Sequence, residues 1–220
     1  MKPSKIFEVY EDSKGRLYTA NLTPGKTVYD ERLVKDKNIE YREWNARKSK
    51  LAAVILKGCN NVFIRKDNVV LYLGSSSGTT VSHVSDIVGK DGFIFALDIA
   101  PRMMRDMVFV CEERKNIAPI LADANKPESY VEKVCQVDVV YQDIAQRNQI
   151  DIFLKNINLF LKKEGHALLA VKARSIDVTK KPRQLFAEIR QRLEQEMTVI
   201  DYKTLEPYQL DHCMFVCKKK

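Results

Sequence analysis

At 220 residues the chain is long enough to bury a substantial core, and its length favours one main domain with a small appendage. Hydrophobic residues make up 45% and charged residues 30%. No run approaches the ~20 apolar residues of a membrane span, so a membrane-spanning protein is excluded and a cytosolic globular one is expected. The formal charge of +8 is unevenly spread: between Arg42 and Lys66 seven basic residues (Arg42, Arg47, Lys48, Lys50, Lys57, Arg65, Lys66) face one acid, Glu43. Such an excess suits a phosphate backbone or, equally, a solvated basic surface.

Met1 to Lys5 leads into no apolar signal core, which again points to the cytoplasm. The five cysteines are scattered, and Cys213 and Cys217 are too far apart for a Cys-x-x-Cys redox pair, so buried free thiols are expected. Ile6–Tyr10 and Arg16–Ala20 are strand-like and are joined by Glu11–Gly15, which has hairpin-turn chemistry. Leu22–Lys26 makes a further turn before Val28 and Tyr29. Residues 1–45 are thus expected to form a small antiparallel β unit that packs on the main domain or docks a partner. Residues 46–220 form the main domain, entered through the link Glu43–Lys50. Leu51–Leu56 reads as a helix with Asn45 or Ser49 as N-cap and Gly58 closing it. Trp44, the single tryptophan, is expected to anchor the core between the two units rather than to stack on a base.

From Val69 onward strands and helices alternate. Val69–Leu73 is a buried strand, and Gly74-Ser75-Ser76-Ser77-Gly78 turns it sharply into a helix marked by Thr80, Val84, Ile87 and Val88. Strands follow at Phe93–Asp98, Ile117–Leu121, Val137–Asp143 and His166–Ala173, with helices from Pro101, near Pro127, at Asn148–Leu161 and from Pro182. Thr198–Leu205 and His212–Lys218 are two more strands joined by only six residues. That link is too short for a parallel crossover, so the last strand runs antiparallel to its predecessor. The fold class is α/β: a seven-stranded, mostly parallel sheet with right-handed crossovers and an antiparallel last strand, plus the N-terminal β unit.

Ligands of open α/β sheets bind outside the carboxyl ends of the strands. This topology brings Gly74, Asp98, Asp123, Asp143, Lys172 and His212 to that one edge. Taken singly, each has a structural explanation: the aspartates as helix caps, Lys172 as a salt-bridge partner of Asp143, His212 as a strand-end histidine. Their shared edge favours a site. The Gly74-x-x-x-Gly78 turn lacks the Gly-Lys-Ser/Thr ending of a P-loop and the Gly-x-Gly-x-x-Gly of a dinucleotide fold. Asp98 stands 24 residues after Gly74, close to the separation at which an acid bonds a cofactor ribose, and Asp123-Ala124 falls where an adenine needs a polar contact. Three acids would repel a pyrophosphate. A cationic, phosphate-free adenosyl cofactor, S-adenosylmethionine, fits better.

Leu71 to Ile87, Asp143-Ile144-Ala145-Gln146, Val171 to Asp177 and Leu205-Glu206-Pro207-Tyr208-x-x-Asp211-His212 together resemble, in order, the signature blocks of fibrillarin. The similarity covers essentially the whole chain. With its short N-terminal unit and no Gly/Arg-rich tail, the chain resembles the archaeal form. The resemblance implies the Rossmann-like S-adenosylmethionine-dependent methyltransferase fold and 2′-O-methylation of ribose in pre-rRNA and tRNA. It implies cofactor binding around Gly74, Ser76 and Gly78 and at Thr79, Thr80, Asp98, Ile99, Asp123, Ala124, Asp143, Ile144, Ala145 and Gln146. It also implies a catalytic set that falls on Lys50, Asp143, Lys172 and His212. Asp98 replaces the family's usual Glu, and Ala46 and Arg147 replace prolines.

A ribose 2′-hydroxyl is a poor nucleophile, so the enzyme must align oxygen, methyl carbon and sulfur and remove one proton. Asp143 and Lys172 are expected to hold the hydroxyl, with Lys172 the leading candidate for base. Arg47, Lys48, Arg174, Lys180, Lys181 and Arg183 are available for RNA phosphates, which position a duplex without reading its sequence. The resemblance supplies the rest: a box C/D guide RNA, a Nop-domain scaffold protein and a kink-turn-binding ribosomal-type protein, with rRNA or tRNA as target. A non-catalytic RNP subunit and a protein-glutamine methyltransferase are the alternatives; no metal is implied.

Overall fold

Residues 1–220, all described by a computed structural model, form two sheets that share one layer of core. The N-terminal sheet contains β1 (Lys2–Pro3), β2 (Val9–Glu11), β3 (Leu17–Ala20), β4 (Leu33–Asp36) and β5 (Ile39–Trp44), in the antiparallel order β1-β2-β3-β5-β4. β2 and β3 are the hairpin the sequence calls for. Asp12 Oδ1 organises its turn by accepting the Lys14 and Arg16 N–H groups at 2.9 and 3.0 Å. The β4–β5 hairpin belongs to the same antiparallel unit but spans residues to which the sequence assigns no strand.

α1 (Lys50–Leu56) begins at Ser49, whose Oγ accepts the Ala52 N–H at 3.3 Å. Gly58, at φ +80, follows its end. The main domain continues with β6 (Val69–Leu73), α2 (Thr79–Val88), β7 (Phe93–Asp98), α3 (Pro101–Glu113), β8 (Ile117–Leu121), a 3₁₀ segment (Pro127–Lys133) in place of the expected helix, and β9 (Val137–Gln142). It ends with α4 (Gln149–Phe160), β10 (Leu161–Lys172), the short α5 (Ala173–Ile176), α6 (Pro182–Glu196), β11 (Met197–Thr204) and β12 (His212–Lys219). The strand order is β11-β12-β10-β9-β6-β7-β8. β12 pairs antiparallel with both neighbours, and the remaining pairs are parallel.

Instead of presenting a single apolar face, α2 is buried from Thr80 to Val88, because one side meets the parallel sheet and the other meets the N-terminal sheet. That second contact is polar. Arg42 of β5 donates to Glu31 at 2.6 Å, to Asp86 of α2 at 2.9 Å and to Ser82 at 2.9 Å. Arg114 donates to the other Asp86 oxygen at 2.7 Å. Trp44 stacks on the His83 ring at 4.9 Å, which makes it the core anchor expected. Three cysteines are buried, Cys111 is half-buried and Cys135 is exposed. No helix is long and apolar enough to cross a membrane.

Candidate active site

The ends of β6, β7 and β9 meet at one rim of the sheet. After β6 the chain reverses at Gly74, φ +82, with Ser76 and Gly78 also left-handed at φ +50 and +95. A Cβ on Gly74 would overlap the backbone carbonyl of Asp143, so glycine here lets the ends of β6 and β9 approach. Asp98 closes β7. Its two oxygens accept the N–H groups of Ser76 and Ala100 at 2.8 and 2.9 Å, which fixes the carboxylate against the glycine turn. Asp143 follows β9, one residue beyond the strand's end.

Between these ends lies a cavity of about 290 Å³ lined by Gly74, Leu97, Asp98, Ile99, Ala124 and the run Asp143 to Gln146. Two acids and no base line it, so it suits a cation and disfavours a pyrophosphate. Ile99, half exposed, and buried Ala124 supply the apolar surface that a flat heterocycle needs. The residues present therefore fit an adenosyl sulfonium. Leu97 lines the cavity but has no polar group, and no sequence signal marked it.

Other expected cofactor residues stand back from the cavity. Ser76, Gly78 and Thr79 shape the turn and the first residue of α2. The Thr80 hydroxyl donates to Ser49 Oγ at 3.0 Å, tying the start of α2 to the cap of α1. Asp123 accepts the Asn125 N–H at 2.9 Å and shapes the loop that presents Ala124.

Beside the cavity, Lys50 Nζ donates to both oxygens of Asp143, at 2.7 and 2.9 Å. The alternative Lys172–Asp143 salt bridge is not formed, because the first residue of α1 occupies that carboxylate. Lys172 ends β10 and is the register partner of His212, which starts β12. His212 Nδ1 lies 2.6 Å from Leu210 O. A carbonyl only accepts, so Nδ1 carries the proton and Nε2 of the neutral ring is left as an acceptor. Burial, with Lys50 and Lys172 nearby, pushes the His212 pKa below the ordinary imidazole value.

The expected RNA contacts differ in their exposure and pairing. Arg47, Lys48 and Lys181 are exposed, with Lys48 Nζ 5.2 Å from the Tyr29 ring centroid. Arg174 pairs with Asp211 at 2.5 Å and Lys180 with Glu188 at 2.6 Å, so each already has a carboxylate partner.

Residues 1–220 match the family model described as Fibrillarin. The fibrillarin-like rRNA/tRNA 2′-O-methyltransferase of Thermococcus onnurineus is 49% identical over 217 residues, covering 99% of this chain and 96% of that protein. The Aeropyrum pernix fibrillarin structure in complex with natively bound S-adenosyl-L-methionine superposes with a TM-score of 0.87 at 44% identity, over 95% of this chain and 92% of that one. A fibrillarin/Nop5p complex contains a chain that matches over 100% of both lengths, with a TM-score of 0.90 and 38% identity.

Proposed function

Since this chain belongs to the fibrillarin family, we propose that it methylates ribose 2′-hydroxyls of pre-rRNA and tRNA, using S-adenosylmethionine. It acts as the catalytic subunit of a box C/D guide RNA complex. The observation that carries this reading is the meeting of the Lys50–Asp143 pair and the Lys172–His212 pair beside an acid-lined cavity at the strand ends.

In this mechanism Gly74, Asp98, Ile99, Ala124 and Asp143 to Gln146 hold the cofactor, which when bound supplies an activated methyl group on a sulfonium. Asp143, already held by Lys50, orients the ribose 2′-hydroxyl toward that methyl. Lys172, with no carboxylate partner of its own, is the base of this mechanism and in its neutral form takes the hydroxyl proton. His212 Nε2 is an acceptor beside it. Arg47, Lys48, Arg174, Lys180 and Lys181 hold phosphates. Because phosphate contacts carry no sequence information, the target nucleotide is selected by pairing with the guide. The partners are a Nop-domain scaffold, as in the fibrillarin/Nop5p complex, and a kink-turn-binding protein that holds the guide; the setting is the cytoplasm.

The test is methyl transfer from labelled cofactor to guide-paired RNA, with and without these partners. Label at the guided 2′-oxygen is expected. Label on a protein glutamine overturns the RNA assignment, and no binding of S-adenosylmethionine makes the chain a structural subunit.

A further inference from the structure

The two side-chain pairs at the rim arrive on different loops. Lys50 follows residues 45–49, where Asn45 Oδ1 accepts the Arg47 N–H at 2.8 Å and Ser49 caps α1. His212 follows residues 205–211, a loop closed on itself. Leu205 N–H donates to His212 O at 2.9 Å, and the Tyr208 and Gln209 N–H groups donate to Leu205 O at 2.9 and 3.1 Å.

One side chain hydrogen-bonds from the second loop to the first. Gln209 Nε2 donates to Arg47 O at 2.7 Å, across 162 residues of sequence, and stands 3.4 Å from Ala46 O. Gln209 immediately precedes Leu210, whose carbonyl holds the His212 ring. Arg47 lies three residues before Lys50, which holds Asp143. A single amide therefore ties the backbone that orients one pair to the backbone that carries the other.

We propose that Gln209 is a positioning residue for methyl transfer: its amide fixes the loop before His212 against the turn before Lys50 and so sets the distance between the two pairs. The inference rests on the function proposed above. Gln209 touches neither cofactor nor reacting atoms in this role. It matters because in-line transfer between held groups is sensitive to displacements of about 1 Å, which cost up to ~10²-fold in rate.

Gln209→Met keeps the side chain's length and loses the donor, whereas Gln209→Lys keeps a donor of similar reach. Each is compared with the unaltered chain in the reconstituted guide complex by single-turnover methyl transfer. S-adenosylmethionine affinity, thermal unfolding and the NMR titration of His212 are measured on the full chain. The Met variant is expected to lose about tenfold in rate, keep cofactor affinity within about twofold and unfold as before. His212, which faces Lys50, Asp143 and Lys172, is expected to titrate closer to an ordinary imidazole as its loop loosens, and the Lys variant to recover most of the rate.

A Met variant with unchanged rate and unchanged His212 titration overturns the inference. So does a rate loss matched by equal losses of cofactor affinity and thermal stability, which would make the contact merely structural. If the unaltered complex transfers no methyl group, the proposed function itself fails, and the His212 titration still decides whether Gln209 holds the loop.

Discussion

Lys50 Nζ sits 2.7 Å from Asp143 Oδ1 although 93 residues separate the two in the chain. The pair joins the first residue of a helix to the turn after a central strand, and it puts a cation next to a cavity built for one. The two partners therefore have opposite effects on cofactor binding and the same effect on chemistry. Asp143→Ala leaves the Lys50 charge uncompensated and is expected to weaken S-adenosylmethionine binding by about fivefold or more, whereas Lys50→Ala removes a repelling charge and leaves affinity equal or tighter. Both lower single-turnover transfer by ~10²-fold, and the double variant is no slower than the slower single one, because the pair works as a unit. Calorimetric titration and rapid-quench kinetics check the two halves of the argument separately.

Gly74 joins the same two elements through the backbone. Gly74→Ala must place a Cβ against the Asp143 carbonyl while holding φ near +82, so β6 and β9 are forced apart. The expected cost is about 2–4 kcal/mol of stability, from steric displacement added to left-handed strain. Cofactor affinity should fall with it, since Asp143 moves. Gly25→Ala is the control: it has nearly the same φ, +81, with nothing within 4 Å of the added methyl. It should cost only the strain, about 1–2 kcal/mol. Urea denaturation of both variants gives the comparison.

The convergence of strand ends was legible because period, glycine turns and a six-residue final link fix strand direction, and direction decides which end of each strand faces the ligand. Thus Gly74, Asp98, Asp143, Lys172 and His212 reach one edge by topology alone. The Lys50–Asp143 pair was not legible, since it depends on how α1 packs against the sheet, which no local pattern encodes. The β4–β5 hairpin was missed for a different reason. In Ile39-Glu40-Tyr41-Arg42-Glu43-Trp44 the fully buried Arg42 stands where a strand pattern needs an apolar residue. Its burial is tolerable only because Glu31, Ser82 and Asp86 meet it from elsewhere in the chain.

Asp86 is the centre of that arrangement and predicts a large stability effect far from the chemistry. Its carboxylate accepts from Arg42 at 2.9 Å, Arg114 at 2.7 Å, the Thr19 hydroxyl at 2.7 Å and the Leu22 N–H at 3.0 Å. Asp86→Ala leaves two buried guanidinium groups without their shared counter-charge and is expected to cost roughly 3–5 kcal/mol. Both sheets should melt in one transition, because Leu17 and Trp44 of the N-terminal sheet lie in the same apolar cluster as Val70 and Val84. Circular dichroism during denaturation, with the Trp44 fluorescence followed in parallel, would expose any separate transition.

His83 gives the fold a dependence on pH. The Thr19 hydroxyl donates to Asp86, so its oxygen accepts from His83 Nδ1 at 2.8 Å. The Tyr29 hydroxyl, whose single proton faces both His83 Nε2 at 2.7 Å and the Glu43 carbonyl at 3.0 Å, closes the other side of the ring. Burial, with the charges of Arg42 and Arg114, holds the His83 pKa well below its ordinary value. In the unfolded chain the ring titrates near the reference value of about 6.5. As pH falls below that value the unfolded state binds a proton that the folded state refuses, so the contribution is complete above about pH 6.5 and is lost on acidification toward the depressed folded value, by up to ~1.4 kcal/mol per pH unit. His83→Gln should be less stable at neutral pH but lose less on acidification. The difference between urea midpoints of the two proteins from pH 7 down to about 5 measures this; parallel curves would mean that His83 takes up its proton as readily in the folded as in the unfolded state.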